Sequence, residues 1–133
     1  MSELDRRKQA VKALLEVAFD CTVPLARKQV EMARYINPAK YIQHSPGIAN
    51  GLEALLLLIE EFDRASPGYA VQVKRVIAEG DLCFAHCHYT FGAQDARGKA
   101  IAELFRFEGE LIVEHWDVIQ DIPAHSRNGN GMF

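Results

Sequence analysis

The sequence predicts an α+β domain, with helices gathered in residues 1–68, strands in residues 69–121 and a polar tail over 122–133. Two observations carry this reading. Apolar residues recur at helical spacing as far as Phe62, then alternate from Tyr69 onward. The alternating half is also cut by turn-forming dipeptides, as a run of consecutive hairpins requires. At 133 residues the chain is long enough to bury one core without metal or disulfide support, so a single domain is expected.

The helices follow in order. Ser2 and Asp5 have the spacing of a capping box, with Asp in place of the usual Glu. Val11, Leu14, Leu15 and Ala18 then mark one helix face. Pro24 suits the first turn of a second helix running to about Ile36, because its missing N–H costs nothing there. Asn37-Pro38 ends it. Leu52, Leu55, Leu56, Ile59 and Phe62 form a third apolar stripe, closed by Ser66-Pro67-Gly68. The strands are "AVQVKRVIAE", "LCFAHCHYTF", "KAIAELFRF" and "LIVEHWDVIQ", separated by Gly80-Asp81, "GAQDARG" and Gly109-Glu110.

Composition narrows the function. Apolar residues make up 49% and charged residues 25%, the usage of a folded domain rather than a disordered one. A formal net charge of −3 gives no attraction to nucleic acid or to an anionic membrane, and neither is expected as a partner. The opening MSELDRRKQ lacks the apolar stretch of a signal peptide, and the longest apolar run, Ala54 to Ile59, is too short to cross a bilayer. Cys21, Cys83 and Cys87 are odd in number and make no disulfide framework, which points to a cytoplasmic setting.

Strand alternation sorts the second half into two faces. With Gly109-Glu110 as a two-residue turn, residues whose numbers sum to 219 face one another: Arg106 with Val113, Leu104 with His115, Ala102 with Asp117. If Phe91 also faces Lys99, His88, Ala102 and Asp117 form a row across three strands, with a hollow over the alanine. The first face then gathers His86, His88, Arg106, His115 and Asp117 among apolar neighbours. Buried charge must pair or line a wet cavity, so this face reads as a pocket wall beneath the helices. The second face carries Cys83, Cys87, Ile101, Glu103, Phe105, Phe107, Glu114, Trp116 and Val118. Left uncovered by the helices, it is expected to meet a second copy of the chain in a homodimer.

Other readings of the same residues stay open. His86 and His88 are also compatible with a solvent-facing strand. His86-x-His88 could chelate a metal together with His115 or His44, but no specific ligand spacing supports this and no metal is assigned. Cys83 and Cys87 pack as small hydrophobes. No Gly-rich phosphate loop, Gly-x-Ser-x-Gly elbow or dinucleotide fingerprint is present. Pro46 and Gly47 suffice for the turn in "YIQHSPGIANG", which frees His44 to point into the pocket.

"YIQHSPGIANG", "VKRVIAEGD", "LFRFEGELIVEHWDVIQ" and "NGNGMF" together resemble the SnoaL-like polyketide cyclase family of the nuclear transport factor 2-like superfamily, from about Tyr41 onward. The resemblance implies a cone-shaped fold, a curved sheet around a pocket, a dimer, and intramolecular aldol chemistry without cofactor or metal. It places the acid/base aspartate at Asp117 and a polar residue of the pocket mouth at His44. Ser45 departs from the asparagine usual after that histidine. His86 and His88 stand where epoxide-hydrolysing relatives have an Arg-x-Asp pair, which argues against that reaction.

The expected function is therefore acid/base chemistry on a small carbonyl compound, by aldol cyclisation or isomerisation. Asp117, its pKa raised by burial, removes a proton beside a carbonyl, and His88 or His44 steadies the enolate oxygen. Tyr41, His86, Arg106 and His115 bind and orient the substrate. The alternative is a non-catalytic module of the same fold that binds a small hydrophobic ligand or serves for dimerisation.

Overall fold

The structure is a computed structural model describing residues 1–133. Ser2 caps the first helix, α1 (Glu3–Ala18), its hydroxyl oxygen accepting the Asp5 N–H at 3.0 Å. The expected stripe of Val11, Leu14, Leu15 and Ala18 is buried. Helix α2 (Leu25–Met32) starts one residue after Pro24, which is its N-cap, and stops short of Ile36. Backbone pairing explains the early stop. Tyr35 O accepts the Ile112 N–H at 2.8 Å and Asn37 N–H donates to Ile112 O at 2.9 Å, so this segment runs beside a strand instead of continuing as helix. Helix α3 (Leu52–Ala65) buries Leu52, Leu55, Leu56 and Ile59 and ends at Ser66.

Five strands follow the order β1-β5-β4-β3-β2. β2 (Tyr69–Glu79), β3 (Leu82–Phe91), β4 (Lys99–Glu108) and β5 (Leu111–Asp121) are consecutive antiparallel hairpins. The short β1 (Ile42–Gln43) adds to the edge parallel to β5, pairing Ile42 with Glu114 and Gln43 with His115. The sheet is therefore mixed rather than wholly antiparallel, and the start of "YIQHSPGIANG" is a strand.

The pairing of β4 with β5 decides which side chains face the helices. Glu108 opposes Leu111 and Phe107 opposes Ile112, following the sum of 219. The register then shifts: Arg106 pairs with Glu114, Leu104 with Trp116 and Ala102 with Val118. Val113 is the extra residue of a β-bulge. Ile112 and Val113 are consecutive and both fully buried, which strict alternation does not allow. Beyond the bulge every β5 side chain sits opposite a different β4 partner from the one expected. Glu103 faces Asp117 and Phe105 faces His115.

This corrects the two faces. Cys83, Ala85, Cys87, Tyr89, Ile101, Glu103, Phe105 and Phe107 are buried beneath the helices, together with His115. His86, His88 and Arg106 lie on the outer face, with Trp116 and Val118. The β3–β4 register differs too, because Lys99 opposes Tyr89 rather than Phe91, and His88 opposes Ala100. The connection is the expected GAQDARG, and it contains a 3-10 turn at Gly92–Asp95.

Two polar contacts lock the helices to this sheet. Arg7 donates to Gly80 O at 2.5 Å and to Gly109 O at 3.3 Å, so α1 holds both hairpin turns. Lys28 is fully buried and donates to the Tyr69 oxygen, while the Tyr69 hydroxyl donates to Asp63 at 2.6 Å. Burial lowers the Lys28 pKa, and Asp63 opposes that shift.

Gly98 closes the β3–β4 connection at φ +72, where a Cβ would lie 1.8 Å from Tyr89 O. Gly47 has nothing within 4 Å of a Cβ and no positive φ. Gly98→Ala is expected to lower unfolding free energy by more than about 2 kcal/mol in urea titration. Gly47→Ala should change it by less than about 0.5 kcal/mol. Equal effects would contradict the backbone described.

Candidate active site

A cavity of about 540 Å³ opens between the helices and the inner sheet face, within the usual size of small-molecule pockets. Leu14, Leu15, Phe19, Leu55, Leu58 and Phe62 line it from the helices, and Phe91, Ile101, Phe105 and Ile119 from the sheet. Its polar wall is built by three neighbouring strands. β1 and its flanks give Tyr41, Gln43 and Ser45; β4 gives Glu103; β5 gives His115 and Asp117. β1 is extended, so Tyr41, Gln43 and Ser45 turn one way while Ile42 and His44 turn the other.

These groups form one chain of hydrogen bonds. Tyr89 donates its hydroxyl to Glu103 Oε2. Glu103 Oε1 lies 3.0 Å from His115 Nε2, and both residues are 5% exposed. His115 Nδ1 lies 2.7 Å from Gln43 Oε1, which also accepts the Ser45 N–H at 3.0 Å. Within this chain of hydrogen bonds only Gln43 Nε2 is buried without a partner.

Asp117 stands beside this chain, half-buried. Burial raises its pKa most; His115 and the Ser45 hydroxyl favour the ionised form, and Glu103 disfavours it. Burial first and then Glu103 raise the Tyr41 phenol and keep it protonated; the Gln43 side chain acts the other way, and Asp117 adds least to the rise. A carboxyl pushed toward neutrality and a phenol that keeps its proton are an acceptor and a donor on one wall.

The structure brings together Asp117, His115 and Tyr41 of the expected site residues and separates the other four. His44 stacks on Trp116 outside the cone, ring centroids 4.9 Å apart, with Nε2 2.7 Å from Glu114. His86 contacts the Arg75 guanidinium, and His88 Nε2 donates to Arg97 O at 2.7 Å; Phe133 packs on both rings. Arg106 pairs with Glu114 at 2.7 Å and Glu108 at 3.3 Å. These four positions are corrected from pocket to outer face. The bulge moves Arg106 away from the side of Asp117, and the strand character of β1 turns His44 outward. For His86 and His88 the reason is the helices, which cover the apolar list of β3.

Sequence reasoning missed Glu103, Tyr89 and Gln43. Glu103 did leave a signal, as a carboxylate between Ile101 and Phe105 in an otherwise apolar list. Ligand atoms of Glu103, His115 and Asp117 lie within 4.8 Å of one another, the spacing of a possible metal set. Both His115 nitrogens are already committed, to Gln43 and to Glu103, so no metal is assigned to the trio. His86 and His88 each have one ring nitrogen engaged, and His115 lies on the opposite face.

The family model for SnoaL-like polyketide cyclase matches residues 25–126. The chain belongs to this SnoaL-like family. No curated protein matches it. Among solved structures it resembles TsrD from Streptomyces laurentii, at 16% identity and TM-score 0.68 over 90% of both chains. It also resembles a candidate isomerase of the SnoaL-like family from Agrobacterium tumefaciens, at 11% identity and TM-score 0.71 over 88% of this chain and 99% of that one. A candidate ketosteroid isomerase from Kribbella flavida aligns at 13% identity and TM-score 0.62, over 98% of this chain and 89% of that one. These likenesses establish the SnoaL-like fold, and the family model sets the chain among SnoaL-like polyketide cyclases. No helix is long and apolar enough to cross a membrane.

The raised Asp117 pKa has a consequence for stability. Folded Asp117 holds its proton more tightly than the unfolded chain does, so stability falls as pH rises through the window between the two values. Asp117→Asn has nothing to ionise there. It should be more stable than the parent protein at neutral pH, and lose that advantage below the ordinary aspartate range, at about pH 3. Thermal melts at the two pH values check the sign; a variant less stable at neutral pH would contradict it.

Proposed function

We propose that this protein catalyses proton transfer at carbon next to a carbonyl in a small, largely apolar substrate, leading to aldol cyclisation or to isomerisation. The observation that carries the proposal is Asp117, a carboxyl whose pKa is raised by burial, facing an apolar cavity that also presents the Tyr41 phenol. Asp117 as carboxylate takes the proton, and the electron pair of the C–H bond forms the enolate. Tyr41 donates a hydrogen bond to the enolate oxygen, where charge develops. This donor role replaces the one expected of His88 or His44, which lie outside the cavity.

In a cyclisation the enolate carbon attacks a second carbonyl of the folded substrate, and the new alkoxide takes the proton back from Asp117. In an isomerisation Asp117 returns the proton to a different carbon. Both outcomes balance without an oxidant, and both gain from the apolar walls that hold the reacting ends together. His115 shapes the polar wall from behind.

The test uses a bulky cyclic 1,3-diketone as probe. Exchange of its α-protons into D₂O, followed by NMR, should be accelerated by the protein. Asp117→Asn should cut that acceleration by about 10²-fold or more. Tyr41→Phe should reduce it by about 10-fold with binding retained. Binding without accelerated exchange would remove catalysis and leave a small-ligand module.

We further propose that the outer sheet face forms a homodimer in a cytoplasmic setting. Ile77, Leu82 and Val118 are exposed there at 60%, 37% and 72%, beside Trp116. Sedimentation should show a dimer that Val118→Lys converts to monomer; a monomeric parent protein would refute this interface.

A further inference from the structure

The hydrogen bonds behind Asp117 have a direction, and Gln43 sets it. We propose that Gln43 is a positioning residue: it dictates which nitrogen of His115 carries hydrogen, and thereby leaves Asp117, rather than Glu103, as the carboxyl of the polar wall free to exchange a proton with substrate. The inference rests on the acid/base reading of Asp117 for its functional half. Its structural half stands alone.

The Ser45 backbone N–H can only donate, and it points at the Gln43 side chain at 3.0 Å. The Gln43 atom it meets is therefore the amide oxygen, which settles the orientation of the amide. That same oxygen lies 2.7 Å from His115 Nδ1. Two acceptors do not approach so closely, so Nδ1 carries a hydrogen. A ring with hydrogen on Nε2 alone would set a lone pair against the Gln43 oxygen in a buried site.

The other nitrogen completes the chain. His115 Nε2 faces Glu103 Oε1 at 3.0 Å, and Glu103 Oε2 already accepts the Tyr89 hydroxyl. One proton fits between Nε2 and Oε1. Whichever atom holds it, the His115–Glu103 pair is neutral as a unit, and both carboxylate oxygens of Glu103 are occupied. Asp117 lies within 4.8 Å of both partners but is tied only to Ser45, and it is half-buried where Glu103 is sealed. It is the carboxyl that can change state at little structural cost.

The titratable surroundings of His115 are few. β4 contributes Glu103, beside Phe105; the segment leading into β1 contributes Tyr41, whose ring stacks at 6.4 Å; β5 itself contributes Asp117. β3 contributes Tyr89, which reaches His115 through Glu103, with Cys87 near the same carboxylate. None of them supplies a second acceptor for Nδ1. Removing the Gln43 oxygen therefore frees the tautomer, weakens any positive charge on the ring, and lets Asp117 hold its proton to higher pH.

The experiment is long-range ¹H–¹⁵N correlation NMR of His115 in the complete chain without substrate, followed by pH–rate profiles with the diketone probe. The parent protein should show Nδ1 protonated across the neutral range. Gln43→Glu retains an acceptor and should keep that pattern; Gln43→Leu should give a mixture of tautomers. In Gln43→Leu the acid limb of the rate profile should move to higher pH, and kcat should fall by about 10-fold or more with KM little changed. A bare Nδ1 in the parent protein would overturn the proposal even if Gln43→Leu failed to fold, and so would an unaltered tautomer in Gln43→Leu. Full activity in Asp117→Asn would sink the acid/base reading while leaving the His115 spectrum, and the positioning it reports, unchanged.

Discussion

One extra residue in β5 decides the chemistry of the inner face. Val113 has no partner in the ladder with β4, and its insertion shifts the register from that point on. Without it, Asp117 would share a wall with Ala102, and His115 with Leu104. With it, Asp117 faces Glu103 and His115 faces Phe105, both inside the cone. A slip of one residue exchanges every cross-strand neighbour on a face, so no later feature of the site is independent of the bulge. The edge next to it is held in place, because Tyr35 and Asn37 pair with Ile112 on one side of Val113 and β1 pairs with Glu114 and His115 on the other.

The wall that results is polar in a costly place. Glu103, His115 and Tyr89 are nearly inaccessible, and each would be destabilising alone. Linked through the Gln43 oxygen they satisfy one another. Asp117 is left as the member whose ionisation the environment resists. The apolar lining of the cavity is also what desolvates Asp117.

Much of this was legible in the sequence. Helical spacing located α1 and α3, and alternation with turn dipeptides located β2 to β5 almost to the residue. The family resemblance carried by "EHWDVIQ" and "YIQH-x-P" fixed the architecture and singled out Asp117, which the structure places in the cavity. The bulge was not legible from alternation, because a pattern of period two assumes that no residue is skipped. The adjacent apolar pair Ile112-Val113 was its only trace. His44 went astray for a related reason: once residues 41–45 are taken as extended, Tyr41, Gln43 and Ser45 share a face and His44 takes the other. His86 and His88 were drawn inward by grouping polar residues together, although the aromatic and aliphatic list of β3 was the one the helices had to cover.

The most direct measurement is the set of interstrand backbone NOEs between β4 and β5 in isotope-labelled protein. Cross-strand contacts should pair Glu103 with Asp117 and Phe105 with His115, with Val113 unpaired between Ile112 and Glu114. Contacts pairing Ala102 with Asp117 and Leu104 with His115 would show an unbulged hairpin. Asp117 and His115 would then have no common wall with Glu103, and the site described would not exist.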